Sequence, residues 1–352
     1  MNVVVVGAGV VGLAAGFELS RAGHHVEVLS ADVPGARQSA GMSRIFRLAH
    51  ADGPLTDAAA ESLSLWKEWE ALAGDVLLDR TGLLLTGDTS DREPHLRRYG
   101  RLEQRTGAAH PLAVAHDQWS FERTGATIHA ETTVRFLQAG LHVRLADVTA
   151  VDKRGVTVCD GARVDADRVV VCAGPETHLL MGLPAPERLR SVRFSFALRE
   201  PLNSPAPCWI QRDDRLCEPF YGVMDGAEHY SVGLSEAAPA HVHEAAHVRD
   251  AHRRIIDIVT RVLPGLIPIA ERLITCEYPI NPHSARTRLA QDGWDLRERD
   301  GVVGVTGPSL FKFAPLLGRL ATERVRDCAT ARAREPCRKL TNAGIAAGPW
   351  TQ

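Results

Sequence analysis

The 352-residue sequence has few lysines, no Cys-x-x-Cys pair and no long apolar run. Lys67, Lys153, Lys312 and Lys339 are the only lysines, so arginine carries nearly all the positive charge. The seven cysteines are odd in number and scattered, which argues against a disulfide framework and a zinc site and favours a reducing compartment. The net charge of −2 gives no support to nucleic acid or an anionic membrane as partner.

The absence of a long apolar run also bears on the cellular location that we expect for the protein. No segment reaches the roughly 18 apolar residues that a membrane-spanning helix requires. The N-terminus has neither the basic segment nor the cleavage site of a signal peptide. We therefore expect a cytoplasmic protein with no membrane partner, and the length predicts more than one domain.

The most informative segment is the N-terminal one. Val3 to Val6 is a short β-branched run, typical of a strand buried on both faces. It leads into the GAGVVG motif of residues 7–12, then a predicted helix from Leu13 to Ala22 and a second strand from His25 to Leu29. Such a Gly-x-Gly-x-x-Gly turn lets the backbone approach a pyrophosphate, which the helix N-terminus attracts. The flanking elements make this a specific signal for a dinucleotide.

Two further valine-rich strands end in glycine turns, at residues 167–175 and 302–307. Parallel strands that meet at one ligand must come from distant segments, so the dinucleotide domain is predicted to be discontinuous. We assign it residues 1–80, 130–188 and 284–330. A second, substrate-binding domain takes residues 81–129 and 189–283, and residues 331–352 form a loosely held tail.

Between these strands the sequence is less regular. The alternating pattern of residues 190–235 predicts an antiparallel sheet. Residues 88–125 are polar and mixed, and we expect weak helices there. Longer helices are predicted over Leu55–Leu72, Thr132–Gly140, Val248–Val262 and Pro315–Arg326.

Four segments together resemble the FAD-dependent amine and amino-acid oxidases of the D-amino-acid oxidase superfamily. They are the opening glycine motif, Ser39–Arg47 (SAGMSRIFR), Ala166–Pro175 (ADRVVVCAGP) and the GVTG-to-FKF segment of residues 304–313. The group that the chain resembles most is that of monomeric sarcosine oxidase and glycine oxidase. The second and fourth segments favour FAD over NAD, since a nicotinamide dehydrogenase needs neither.

The resemblance implies an α/β fold, in which a Rossmann-like, glutathione-reductase-like FAD-binding domain is interleaved with a mostly antiparallel α+β substrate domain. It implies removal of a hydride from the carbon next to the nitrogen of a secondary amine or amino acid. The resulting imine hydrolyses, and O2 is reduced to H2O2. The expected partners are O2 and a small amine or amino-acid substrate with a carboxylate, either N-substituted glycine-like or a cyclic imino acid.

Five residues are predicted to take part in catalysis, in contact with the substrate or with the flavin. Arg47 is the main candidate for gripping its carboxylate, because a guanidinium can donate two parallel hydrogen bonds. Lys312 is the second cation by its match to the family's carboxylate-binding lysine, and Arg44 is expected against the flavin. Tyr221 and Tyr278 match segments where the family places aromatic residues near the substrate. Plain ion pairing or packing is the alternative for each of these residues.

The predicted cofactor-binding residues come from all four segments and from the central strands. They are Gly7, Gly9, Val10, Val11, Gly12, Ser30, Ser43, Arg44, Val148, Ala173, Gly174, Cys276, Gly307, Phe311 and Lys312. Cys276 matches a cysteine that sarcosine oxidases bond covalently to the flavin, a link that requires a thiolate and nearby positive charge. The alternative is a buried free cysteine.

Three positions depart from the family pattern. Ser30 stands where an acidic residue normally binds the ribose, with Asp32 as a possible substitute, and Ala40 replaces a histidine. Ser231 stands at the position of a lysine implicated in oxygen activation, where a cation stabilises developing superoxide. Two alternatives therefore stay open: a dehydrogenase of the same fold that uses another acceptor, and a flavin-binding subunit without catalysis.

Overall fold

Two large sheets organise the computed structural model, which describes residues 1–212, 217–280 and 293–333. The first sheet has the strand order β20 (Asp295–Arg299), β21 (Val302–Thr306), β13 (Arg168–Val171), β1 (Asn2–Val6), β2 (His25–Ser30) and β9 (His142–Leu145). All neighbours are parallel except β20 and β21, which are antiparallel.

The valine-rich strands lie at the centre of this first sheet. Val4 of β1 is aligned with Val169 of β13, and Val170 with Val303 of β21, and these valines are buried on both faces. Because the strands are parallel, their glycine-containing ends meet at one edge of the sheet. The predicted gathering of three distant segments is confirmed.

The second sheet is mostly antiparallel. Its order is β18 (Ala238–Pro239), β14 (Glu187–Leu198), β17 (His229–Leu234), β16 (Phe220–Met224), β15 (Cys208–Gln211), β5 (Leu83–Thr86), β7 (His116–Glu122) and β6 (Glu103–Gly107), with β19 (Leu266–Ile280) also paired to β14. The antiparallel sheet expected over residues 190–235 is confirmed, apart from the parallel pair β15 and β5.

Two small sheets complete the strands. One orders β3 (Ser43–Phe46), β8 (Ala126–His129) and β4 (Leu78–Asp79), and the other orders β10 (Val148–Asp152), β11 (Gly155–Val158) and β12 (Arg163–Asp165). Strand β3 carries Arg44, so strand pairing within the first of these sheets positions a predicted site residue.

The helices are α1 (Val10–Arg21), α2 (Gly53–Ala73), α3 (Glu93–Leu96), α4 (Ala130–Gln138), α5 (Thr177–Leu180), α6 (Glu244–Val262) and α7 (Ala314–Ala333). Short 3-10 turns cover Gly174–Glu176 and Leu310–Phe313. The four longer predicted helices correspond to α2, α4, α6 and α7.

The prediction of weak helices over residues 88–125 is wrong for most of that segment. It forms β6 and β7, with only the single turn α3 as helix. Trp119 and Phe121 of β7 are buried in the core of the second sheet. Pairing with neighbouring strands and burial of these rings outweigh the weak local propensity.

Glycines and caps set the ends of the helices that frame the first sheet. The Asp52 carboxylate accepts from Leu55 N at 2.9 Å and caps α2, which ends at Gly74 with φ +63°. Helix α7 packs closely on α1, since a Cβ on Gly318 would lie 2.7 Å from the carbonyl oxygen of Ala14. This packing holds the N-terminal turn of α1 in place.

The two sheets draw their strands from the two sets of segments that we assigned to separate domains, and the division itself stays a prediction. Its boundary near residue 284 lies outside the described residues, as does the tail beyond the end of α7. No helix within the described ranges is both long and apolar enough to cross a membrane.

Candidate active site

The turn between β1 and α1 places glycines where a side chain would collide. Gly7 has φ +103°, and a Cβ there would lie 2.4 Å from the carbonyl oxygen of Cys172. A Cβ on Gly12 would lie 1.9 Å from the carbonyl oxygen of Gly7. Gly9 differs, because the nearest atom to its Cβ position is Ser39 Oγ at 3.5 Å. Close packing therefore requires glycine at positions 7 and 12. Gly9 lies instead on the wall of a cavity, where the lack of a side chain leaves its backbone accessible.

That cavity has a volume of about 1130 Å³ and joins the glycine turn to the second sheet. It is larger than the roughly 300–1,000 Å³ usual for small-ligand pockets. The predicted residues on its wall are Gly7, Gly9, Val10, Val11, Ser30, Arg44, Arg47, Val148, Ala173, Gly174, Tyr221, Cys276, Tyr278, Gly307, Phe311 and Lys312. Two predicted cofactor residues, Gly12 and Ser43, are not on the wall.

The glycine-turn end suits a pyrophosphate. Helix α1 begins after Gly9 with no acidic side chain in its first turn, and Val10 N donates to Ser39 Oγ at 2.9 Å. A Cβ at Gly9 would occupy space that the protein itself leaves empty. The helix N-terminus therefore offers backbone N–H groups and partial positive charge to an anion. These residues fit the pyrophosphate of a dinucleotide such as FAD.

Ser30, the last residue of β2, and Asp32, two residues further on, both line the cavity. Ser30 is buried, and its carbonyl oxygen accepts from Ala146 N at 2.8 Å. The Asp32 carboxylate forms an ion pair with Arg37. The acidic side chain that the sequence offers in place of the usual ribose-binding residue is thus already paired with an arginine of the chain.

Arg44 is held by three backbone carbonyl oxygens. Its guanidinium donates to Ser43 O at 2.7 Å, Gln38 O at 2.8 Å and Ala40 O at 2.6 Å. It also lies 5.6 Å from the centre of the Phe311 ring. Burial, together with the charge of Arg193, lowers the pKa of Arg44 to about 10. The side chain is fixed and positively charged at neutral pH.

Arg47 lies at the end of a segment fixed by a buried carboxylate. Glu122 accepts from Leu48 N at 2.7 Å and from Ala49 N at 2.9 Å. Burial raises the pKa of Glu122, and its backbone hydrogen bonds and the Arg47 charge act in the opposite direction. Glu122 was not singled out in the sequence, because nothing local marks a strand carboxylate as facing a distant loop.

Lys312 is buried on the cavity wall, with 5% of its surface exposed. Its carbonyl oxygen accepts from Ser62 Oγ at 2.7 Å and from Trp66 Nε1 at 3.0 Å, so α2 fixes its backbone. Its ammonium donates to Ser309 O at 3.2 Å and lies 5.1 Å from the Phe313 ring centre. The structure thus places this rare lysine and Arg47 on the wall of the same cavity.

The two predicted tyrosines also line the cavity. Tyr221 packs against the backbone of Gly233, where a Cβ would lie 2.5 Å from its ring. Burial raises the pKa of Tyr221, although Arg193 and Arg44 act against that rise. Tyr278 is half-buried, as is Tyr221, and lies in β19, two residues after Cys276. Both rings are available to contact a ligand.

Cys276 is on the cavity wall beside two guanidiniums. Its thiol lies 4.0 Å from Gln38 O. Burial raises the pKa of this thiol, and the charges of Arg44 and Arg193 oppose the rise. The five cysteines in the described part of the chain are free thiols.

Arg193 is a cavity residue that the sequence reasoning missed. It is 5% exposed and donates to Ser43 O at 3.0 Å through Nη1, while Nη2 has no partner among the described residues. It alternates with Val192 and Phe194 along β14, a pattern typical of one buried and one solvated face. The face of β14 that carries Arg193 is instead buried against the cavity. In the sequence the only sign of this was an arginine within an alternating strand.

Ser231 lies in a buried polar network and not on the cavity wall. Its hydroxyl is 2.6 Å from Ser195 Oγ, which in turn hydrogen-bonds Asp225. Asp225 also accepts from Ser43 Oγ at 2.9 Å and pairs with Arg272 at 3.2 Å. Burial acts to raise the pKa of Asp225, but the hydroxyls and the Arg193 and Arg272 charges outweigh it and hold the pKa low.

Comparison with known proteins matches nearly the whole chain. A family profile described as FAD dependent oxidoreductase matches residues 2–324. N-methyl-L-tryptophan oxidase of Yersinia pestis (strain Pestoides F) is 24% identical, over 93% of this chain and 95% of that protein.

Solved structures share the fold. NikD, described as an unusual amino acid oxidase essential for nikkomycin biosynthesis, superposes in its open form with a TM-score of 0.76 and 24% identity, covering 92% of this chain and 93% of its own. L-proline dehydrogenase from P. horikoshii gives a TM-score of 0.73 at 16% identity, covering 93% of both chains.

Proposed function

The chain belongs to the FAD dependent oxidoreductase family, and from this premise we propose that it oxidises a secondary amine or amino acid that carries a carboxylate. The predicted cofactor, FAD, and the predicted Rossmann-like fold are confirmed by the family match. When bound, FAD supplies a hydride acceptor for the carbon next to the substrate nitrogen. The substrate leaves as an imine that water hydrolyses, and O2 takes up the two electrons as H2O2.

The division of the cavity supports this assignment of roles. Gly7, Gly9, Val10 and Val11 would hold the pyrophosphate, with Ser30 and Val148 beside the adenosine. Arg44, Gly307 and Phe311 would hold the ring system, with Cys276 at its edge. Each of these residues lines the cavity.

The observation that carries the proposal is the presence of Arg47 and Lys312 on one cavity wall with Tyr221. Two cations on the wall of one pocket favour a carboxylate, and the guanidinium can fix its plane. An aromatic ring beside them would exclude water from the apolar part of the substrate. Together they would orient the carbon next to the nitrogen toward the flavin.

The substrate proposed is an N-substituted amino acid or a cyclic imino acid larger than sarcosine. Ala40 replaces a histidine of the family pattern, which removes a bulky polar group near the flavin. The names of two similar proteins, N-methyl-L-tryptophan oxidase and L-proline dehydrogenase, are consistent with such substrates.

The test combines spectroscopy with a carboxylate comparison. We expect purified protein to be yellow and to bleach without oxygen when mixed with one member of a panel of N-methyl and cyclic amino acids. The matching amine without its carboxylate should react at least tenfold more slowly. Arg47→Met should remove that preference, whereas Arg135→Met on the exposed face of α4 should not. Equal reduction of both compounds by the wild-type protein would refute the carboxylate assignment.

The dehydrogenase alternative draws support from Ser231, which supplies no cation to the cavity wall. Oxygen uptake with H2O2 formation at the turnover rate would exclude it. Flavin that stays with the acid-precipitated protein, and is released by Cys276→Ser, would support the covalent link.

A further inference from the structure

A cluster of three guanidinium groups and one carboxylate lies at the second sheet. Arg44 and Arg193 line the cavity, and hydrogen bonds through Ser43 link them to Asp225 and the half-buried Arg272. Arg44 and Arg193 both donate to the carbonyl oxygen of Ser43, over 2.7 and 3.0 Å. Arg272 forms its ion pair with the Asp225 carboxylate at 3.2 Å. The cluster therefore contains more positive than negative charge.

The carboxylate of Asp225 does not form an ion pair with the guanidinium of Arg193. Its oxygens are bonded to the hydroxyls of Ser43 and Ser195 and to Arg272. Within the described ranges Arg193 forms no ion pair, and its Nη2 has no hydrogen-bond partner. A buried guanidinium that lacks a carboxylate partner is unfavourable for folding.

A purely structural role would not need this charge. Holding Ser43 O requires one N–H donor, which a neutral amide could supply. The cost of a second buried cation beside Arg44 is offset if negative charge builds up in the cavity. Arg193 lines that cavity together with Cys276 and Tyr221, in the part assigned to the flavin ring.

We propose that Arg193 is an electrostatic residue for the bound flavin and raises its reduction potential. The inference rests on the proposed function. Uptake of a hydride adds two electrons and one proton, so the charge of the flavin becomes more negative by one unit. A fixed cation nearby stabilises the reduced form more than the oxidised form.

The measurement is the two-electron midpoint potential of the flavin-loaded protein in four variants. Arg193→Gln removes the charge and keeps a donor, and we expect reduced flavin to be disfavoured about tenfold, or about 30 mV. Arg193→Lys keeps the charge and should retain most of the potential. Arg168→Gln is the control, because Arg168 is also buried but lies at the far end of β13, away from the cavity wall.

Asp225→Asn gives the decisive comparison, since it removes negative charge from the same cluster. We expect its potential to rise, opposite in sign to Arg193→Gln, although both changes weaken one hydrogen-bond network. The role of Arg193 would be overturned if the midpoint potential fell in both Arg193→Gln and Asp225→Asn. It would also be overturned if Arg193→Gln had the same potential as Arg168→Gln. Should the Gln variant fail to bind flavin, an Asp225→Asn potential at or below wild type would overturn it alone. Wild-type protein that takes up no flavin would instead remove the proposed function, and this inference with it.

Discussion

The indole Nε1 of Trp66 donates to the backbone carbonyl oxygen of Lys312 over 3.0 Å, across 246 residues of sequence. Helix α2 thereby fixes the short turn that carries the cavity lysine. The same helix carries Trp69, whose Nε1 donates to Glu18 at 2.8 Å and has no bond to that turn. Substituting Trp66 and Trp69 in turn therefore separates the effect of losing the hydrogen bond to Lys312 from the effect of losing an indole ring.

We expect Trp66→Phe to raise KM for the carboxylate substrate several-fold, because the backbone of Lys312 loses a fixed donor. Trp69→Phe should leave KM unchanged. Both variants should lose about 0.5–1.5 kcal/mol of unfolding free energy, the net contribution of one hydrogen bond, because Ser62 still donates to Lys312 O and Arg21 to Glu18. Steady-state kinetics and urea denaturation check this, and equal KM values in the two variants would contradict it.

Gly9→Ala should weaken FAD binding at least tenfold and leave the stability of the flavin-free protein within about 0.5 kcal/mol. The new Cβ meets no protein atom closer than 3.5 Å. Gly12→Ala should instead prevent proper folding, because its Cβ would lie 1.9 Å from the Gly7 carbonyl oxygen. Flavin titration and thermal unfolding separate the two; unchanged FAD affinity in Gly9→Ala would be inconsistent with a pyrophosphate at this turn.

Glu122→Gln should raise KM and lower unfolding free energy by about 1–3 kcal/mol, since backbone N–H groups of Leu48 and Ala49 lose a charged acceptor. The loop that carries Arg47 would then be less firmly held. Glu103→Gln is the control, because that exposed carboxylate pairs with Arg123 outside the site. A Glu122→Gln protein with wild-type KM would show that the loop keeps its position without the carboxylate.

His110 predicts a pH dependence of stability. It is buried against Trp119, Trp209 and Tyr230, and burial lowers its pKa to about 4. The unfolded chain binds this proton near pH 6.5, so stability is lost as pH falls from about 6.5 to about 4, by about 3 kcal/mol in total. His110→Gln should flatten that part of the profile in urea titrations, and a profile unchanged by this substitution would contradict the assignment.

Local sequence was enough to predict the parallel strands and the glycine turn that line one end of the cavity. The valine runs and the glycine motif follow from rules of burial and backbone geometry that act over a few residues. The resemblance then pointed to Arg44, Arg47, Lys312 and Cys276, and the structure brings all four to one cavity wall. Where the local signal was weak, over residues 88–125, the prediction of helices was wrong, because strand pairing decides such segments.

What the sequence determined by itself is therefore the parallel core and its nucleotide turn. Only the tertiary structure decided the charges where the cavity meets the second sheet. There Arg193 donates to Ser43 across 150 residues of sequence, and Ser231 lies in a buried network with Asp225. The physical reason is that an alternating strand shows the same polar face whether water or a ligand cavity covers it. Which of the two covers that face depends on how distant elements pack.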